Sequence, residues 1–264
     1  MNTFGKLFAL FLVGAICTTV SADSFPNYGD YDVTTVKFLN VTETGIPDPI
    51  NPLTMVPLYG EPTGPDNSLL FNPVSFGAYS EGVDSNTVDG LLSLEIEADP
   101  NTKLLGIEIR ESGDYSFNGQ GTSATSVSAN IAVLISIEKV NGQLVTYDPF
   151  NPFQYEIQLA EEMFEVNLSQ SEDGVWSSME YLNGTMYINL DGYLGGDEAI
   201  TKISLAIDNT LNASSEAGTE ALIHKKMFLI KAYTGEASYV PEPSTFVLMG
   251  LGALSLLFFR RKIK

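Results

Sequence analysis

Apolar and polar residues alternate with a period of two through most of the middle of the chain. Leu92, Leu94, Ile96 and Ala98 are separated by Ser93, Glu95 and Glu97. In a strand that spacing puts one set on a buried face and the other in water. Leu105, Ile107 and Ile109 repeat the pattern against Gly106, Glu108 and Arg110, as do Ile203, Leu205 and Ile207 against Lys202, Ser204 and Ala206. Ile131, Val133, Ile135 and Ile137 are interleaved with Ala132, Leu134 and Ser136. That run is apolar enough on both sides to predict a central strand. Residues 221–233 predict the last strand. One stretch departs from the period: in 159–166, Glu161, Glu162 and Glu165 surround Met163 and Phe164, which predicts the one helix of the middle region.

Turn chemistry punctuates these runs. Asn141-Gly142 sits between two apolar arms and predicts a hairpin. Asp89-Gly90, Asp99-Pro100-Asn101, Asn118-Gly119, Asn183-Gly184, Asp191-Gly192 and Gly195-Gly196 are further predicted breakers. From residue 41 to 73 the alternation gives way to Pro47, Pro49, Pro52, Pro57, Pro62, Pro65 and Pro73, which remove backbone donors and break helices and central strands. This predicts an ordered loop or extended insertion packed on the strands and pinned by Tyr59 and Phe71. Several strands with such spacing imply a mainly β fold, an antiparallel two-sheet sandwich, jelly-roll-like or Ig-like. Residues 23–239 are expected to form it as one domain.

At both ends the pattern becomes purely apolar. Lys6, the apolar 7–16 and Val20-Ser21-Ala22 compose a signal peptide over residues 1–22, cut between Ala22 and Asp23. Cys17, the one cysteine, would leave with it, so neither disulfide nor thiol chemistry is expected in the mature chain. A lipoprotein reading of Cys17 fails because Ile16 stands where a small residue is needed. Residues 246–259 carry no charge. A helix of that length reaches about 21 Å, short of the ~30 Å hydrocarbon core. Ser244 and Thr245 extend it at one end, and Arg260, Arg261 and Lys262 snorkel at the other. Its Phe, Leu and Val residues favour insertion by roughly 3–5 kcal/mol as a single transmembrane helix, with the basic cluster cytoplasmic.

Pro241-Glu242-Pro243-Ser244-Thr245, the apolar segment and Arg260-Arg261 together resemble the PEP-CTERM sorting signal of exported proteins in Gram-negative bacteria. The resemblance, over residues 240–264, implies recognition by an exosortase, a membrane-embedded cysteine transpeptidase-like protease. It further implies cleavage near the motif, and delivery of a membrane-held precursor to the cell surface or extracellular matrix in organisms that make exopolysaccharide. Two inner segments, EIRESGDYSFNGQGTSATSVSAN and DNTLNASSEAGTEALIHKK, are similar to stretches in ectodomains of that class. They imply a β-rich surface protein and transfer no catalytic residue.

Charge narrows the partners. Eight of the 13 basic residues lie outside the signal and the tail, against 32 of the 33 acidic ones, Glu242 being in the tail motif. The exported part is therefore strongly acidic and repels phosphate backbones, so no nucleic-acid partner is expected. Candidate chemistry is sparse. His224, the one histidine, falls in a predicted strand and is read as structural or surface, leaving no base for a Ser-His-Asp set. A glycoside hydrolase would need only two carboxylates ~5–10 Å apart, which 33 acids supply by chance, so no enzyme is expected. Asp84-Ser85-Asn86-Thr87-Val88-Asp89-Gly90 with Glu95 imitates a Ca2+ loop. Val88 occupies a ligand position, however, and the glycine is one place late, so an Asx-rich turn is the expectation; no cofactor is assigned, and Ca2+ at a different loop of the sandwich is the weak alternative. Asn40, Asn167 and Asn183 begin N-x-[ST] triplets, weak markers of exposed loops. The expected role is structural or adhesive in an exopolysaccharide matrix or biofilm. Carbohydrate binding through Trp176 or some of the 12 tyrosines is the alternative.

Overall fold

The computed structural model describes residues 25–47, 55–146, 153–169, 174–177, 186–195 and 198–237. The predicted signal peptide with Ala22 and Asp23, the Asn183-Gly184 breaker and the tail with Pro241, Glu242, Pro243, Ser244, Thr245, Arg260 and Arg261 lie outside these residues. The described secondary structure is all strand. No helix among the described residues is long and apolar enough to cross a membrane.

Two antiparallel sheets carry the fold. In the first, β1 (Asn27–Asp32), β2 (Val36–Glu43), β7 (Asp84–Ala98), β14 (Ile200–Ser215) and β9 (Ser126–Val140) lie side by side. The far edge of β9 takes β10 (Gln143–Leu144) and β11 (Glu156–Asn167). In the second, β8 (Thr102–Gly119) pairs with β15 (Thr219–Glu236). On its outer edge β8 takes β12 (Gly174–Ser177) and β13 (Met186–Asn189), and β15 takes β5 (Ser68–Phe71) and β6 (Gly77–Glu81). A two-residue pair, β3 (Ile46–Pro47) with β4 (Met55–Val56), stands apart. Successive long strands change sheet: β7, β8 and β9 alternate, and β14 passes to β15 through a turn at Glu216.

The inward faces of both sheets form one apolar cluster. Leu92, Leu94 and Ile96, Ile131 to Ile137 at odd positions, and Ile203, Leu205 and Ile207 are all buried, as the alternation predicted. The Asn141-Gly142 hairpin also holds. Both residues have positive φ, 51° and 74°, as a two-residue loop joining β9 to β10 requires.

Elsewhere bulges override the simple period. On β8, Gly106 pairs with Tyr233 and Leu104 with Thr234, which leaves Leu105 as an extra residue. Leu104 therefore takes the core position expected of Leu105. The predicted helix at 159–166 is strand β11. Its register with β9 slips between Glu162 and Phe164. An inserted residue moves the apolar positions by one and produces a false helical spacing. Asp84 to Gly90 is not the expected Asx-rich turn, because it is the first half of β7 and pairs residue by residue with β14. Gly90 sits mid-strand for lack of space: a Cβ there would lie 2.9 Å from the Phe76 ring and 3.0 Å from Leu58.

The proline-rich segment is ordered where described. Tyr59 and Phe71 are fully buried, as predicted, with the Tyr59 ring 5.8 Å from Phe71 and 5.2 Å from Phe228. Glu43, at the end of β2 and 2% exposed, holds the segment down. One carboxylate oxygen accepts the Leu58 and Tyr59 backbone N–H groups at 2.9 and 2.7 Å, and the other accepts that of Gly60 at 3.0 Å. The Tyr28 hydroxyl also donates to Glu43. Burial and then the Glu43 carboxylate push the Tyr28 phenol far above its ordinary range, so it remains a donor.

Candidate functional site

Three places on the fold combine chemistry with geometry: the outer face of each sheet and a polar cluster between them. On the first sheet, β2 is distorted around Asn40, which has φ 54° and whose backbone N–H donates to Asp30 at 2.8 Å. Beside it lies a shallow depression of about 440 Å3, lined by Asn40, Thr42, Ser93, Ser136, Ser204 and Ala206 among others, with no aromatic residue. Farther along the same face, cross-strand ion pairs join Lys139 to Glu97 and Lys202 to Glu95, both at 2.6 Å. Short hydroxyl and amide side chains here make a hydrated surface with no stacking platform.

The outer face of the second sheet is different in kind. Tyr187 of β13 is 50% exposed, and its ring lies across Gly106, where a Cβ would come within 2.3 Å of its hydroxyl. Tyr233 meets it edge-on at 5.6 Å. The Tyr233 hydroxyl donates to Glu108, which also receives Arg110, and Lys231 Nζ stands 5.2 Å from the Tyr233 ring centre. The hydrogen bond to Glu108 raises the Tyr233 phenol above its ordinary value. Glu108 is buried beneath this group and fixes it in place. The result is a half-exposed Tyr187 ring in contact with Tyr233, whose own neighbours are charged.

Other exposed aromatics are less organised. Tyr79 donates to Glu81 at 3.0 Å, Tyr193 to the Glu156 carbonyl at 3.0 Å, and Phe25 and Phe153 stand on connecting segments. His224 faces outward on β15, with Nδ1 3.3 Å from Asp114. That geometry agrees with the surface reading of this residue.

Between the sheets lies a cluster that the apolar alternation concealed. Glu111, Asn209 and Lys225 each occupy a core-facing position and are 1%, 0% and 1% exposed. Lys225 Nζ donates to Glu111 and, at 2.6 Å, to Asn209 Oδ1. Burial lowers the Lys225 pKa, although Glu111 opposes the shift. Each of the three follows apolar residues in phase: Ile107 and Ile109 precede Glu111, Leu205 and Ile207 precede Asn209, and Ala221 and Ile223 precede Lys225. A polar residue continuing an inward-facing phase was the available signal.

A family model for the PEP-CTERM protein-sorting motif matches residues 240–262. The matched span includes the Pro-Glu-Pro triplet, the uncharged segment and Arg260-Arg261. No curated protein matches the chain. The chain thus carries a PEP-CTERM sorting motif at its C-terminus.

Proposed function

We propose that this chain is an exosortase substrate: an exported, membrane-held precursor released at its C-terminal motif to a structural or adhesive role in an extracellular polysaccharide matrix. The observation that carries this reading is the motif match over residues 240–262, just past the last described strand, which ends at Glu236. The rest of the chain supports it. The two-sheet core needs no thiol, and the excess of acidic over basic residues keeps the chain hydrated and self-repelling. The alternation of β7, β8 and β9 between sheets favours a jelly-roll-like over an Ig-like sandwich. The test is deletion of residues 240–264 in cells that make the protein. Its cell-surface fraction should fall to background, and the processed form should vanish from the mass spectrum. Unchanged amount, location and mass would refute the sorting role.

The Tyr187–Tyr233 face favours a second reading, carbohydrate binding. The half-exposed Tyr187 ring, edge-on to Tyr233 with Lys231 against the latter, suits stacking on a sugar ring with polar contacts nearby. Tyr187→Ala should weaken retention on the producing organism's exopolysaccharide about two- to twelvefold, from ~0.5–1.5 kcal/mol per aromatic contact. Equal retention of both forms, or none by the unmodified protein, would remove this reading.

A further inference from the structure

The cluster between the sheets sets an amine, a carboxylate and a carboxamide together, all three almost fully buried. Lys225 Nζ lies 4.9 Å from the Phe76 ring centre, 5.1 Å from Phe228 and 5.8 Å from Tyr59, and the side chain is fully enclosed. Asn209 Nδ2 donates to the Tyr59 hydroxyl at 3.0 Å, and that hydroxyl donates to the Gly90 carbonyl at 3.0 Å. The carboxamide is thereby turned with its oxygen toward the amine, 2.6 Å away. With a C=O bond of ~1.2 Å, the carboxamide carbon is no farther than about 3.8 Å from Nζ. Reacting atoms in productive complexes sit ~3–3.5 Å apart. Glu111 is hydrogen-bonded to the same nitrogen.

We propose that Lys225 and Asn209 form an intramolecular isopeptide bond, with Glu111 as the catalytic residue that carries the proton. Glu111 takes a proton from the Lys225 ammonium, and the free amine attacks Cγ of Asn209. The Nζ–Cγ bond forms and the Cγ–Nδ2 bond breaks. A second proton from Nζ passes to the departing nitrogen, which leaves as ammonia, while Glu111 ends protonated and neutral. No oxidant, metal or co-reactant enters the balance. Burial favours each stage: it holds the amine toward its neutral, nucleophilic form and excludes the water that would hydrolyse the intermediate. It also disfavours the initial ion pair relative to an uncharged amide. The product would tie β14 of one sheet to β15 of the other, across the turn at Glu216.

The decisive measurement is peptide mapping of the full-length folded protein by mass spectrometry, because trimming at either end would obscure an intact mass. The expected result is a branched peptide that joins the Asn209 and Lys225 segments and weighs one ammonia less than their sum. Glu111→Gln, which cannot accept the proton, should yield the two segments separately. Asn209→Asp should yield a branched peptide lighter by one water instead of one ammonia, a change that a purely structural role for the cluster would not produce. Two separate, unmodified segments from folded unmutated protein would overturn the proposal. So would an ammonia loss mapped instead to Asn118-Gly119, Asn141-Gly142 or Asn183-Gly184, where an asparagine cyclises on its own backbone.

Discussion

Replacing Glu43 with alanine is expected to lower the unfolding free energy by about 3–5 kcal/mol, the scale set by breaking a buried charged network. The carboxylate accepts three consecutive backbone N–H groups, from Leu58, Tyr59 and Gly60, as well as the Tyr28 hydroxyl, at 2% exposure. Alanine strands those donors in a site too dry to rehydrate them. Each buried unsatisfied group costs roughly 1–3 kcal/mol, and relaxation of the loop recovers part of the sum. Since a domain's whole stability is about 5–15 kcal/mol, this is a large fraction. Glu43→Gln keeps one acceptor but aims an amide donor at backbone donors, so it should recover less than half of the loss. Urea denaturation of the three forms checks the order. The damage should also spread, because the segment that Glu43 fixes carries Tyr59, whose hydroxyl orients Asn209. A loss below about 1 kcal/mol for Glu43→Ala would mean that water or another donor replaces the carboxylate.

The sequence revealed strands wherever the two-residue period ran unbroken and concealed them where an extra residue was inserted. Leu92 to Ile96 and Ile203 to Ile207 were legible because every second residue is apolar and no bulge intervenes. Leu105 was misplaced and 159–166 read as helix for one physical reason. A bulge keeps the strand but shifts the side-chain phase, and phase is all that a linear pattern displays. β15 shows the effect most clearly. Counting forward from Ala221 and Ile223 puts Lys225 in the core, whereas counting back from Ile230 and Phe228 puts Lys226 there. The structure resolves this conflict with a register shift between Lys225 and Met227. The glycine before Leu91 looked like a turn because nothing in the sequence shows that Phe76 and Leu58 fill its Cβ space. The sorting motif was legible for the opposite reason: it is contiguous, and needs no fold to bring its parts together. The polar cluster and the Tyr187–Tyr233 pair draw on separate strands and required the register.

Lys225→Met separates the two roles that the internal cluster can play. Alone it leaves Glu111, itself fully enclosed, without its cation. Removing one partner of a buried ion pair typically costs ~3–5 kcal/mol, so this should rank with the most damaging single substitutions in the protein. Adding Glu111→Leu removes the stranded carboxylate. Apolar replacement of a whole buried pair is commonly neutral or stabilising, and here the new methyl groups would meet Phe76, Phe228 and Tyr59. An ion pair alone therefore predicts that the double variant regains the unmutated stability apart from the ~1 kcal/mol of the hydrogen bond that Asn209 Oδ1 loses with Lys225. A covalent tie predicts a shortfall. Residues 209 and 225 are 16 apart, and the chain-entropy relation for cross-links gives about 3 kcal/mol for a loop near that size. Asn209→Ala, which removes the acylating group but neither charge, should reproduce that shortfall in an otherwise unmutated background, beyond the ~2 kcal/mol of its two lost hydrogen bonds, to Lys225 and Tyr59. Urea midpoints for the three variants and the unmutated protein decide between the two. Recovery to within those hydrogen bonds leaves an ordinary buried salt bridge, whereas a common deficit of about 3 kcal/mol beyond them in the double variant and in Asn209→Ala points to a bond between the two sheets lost in both.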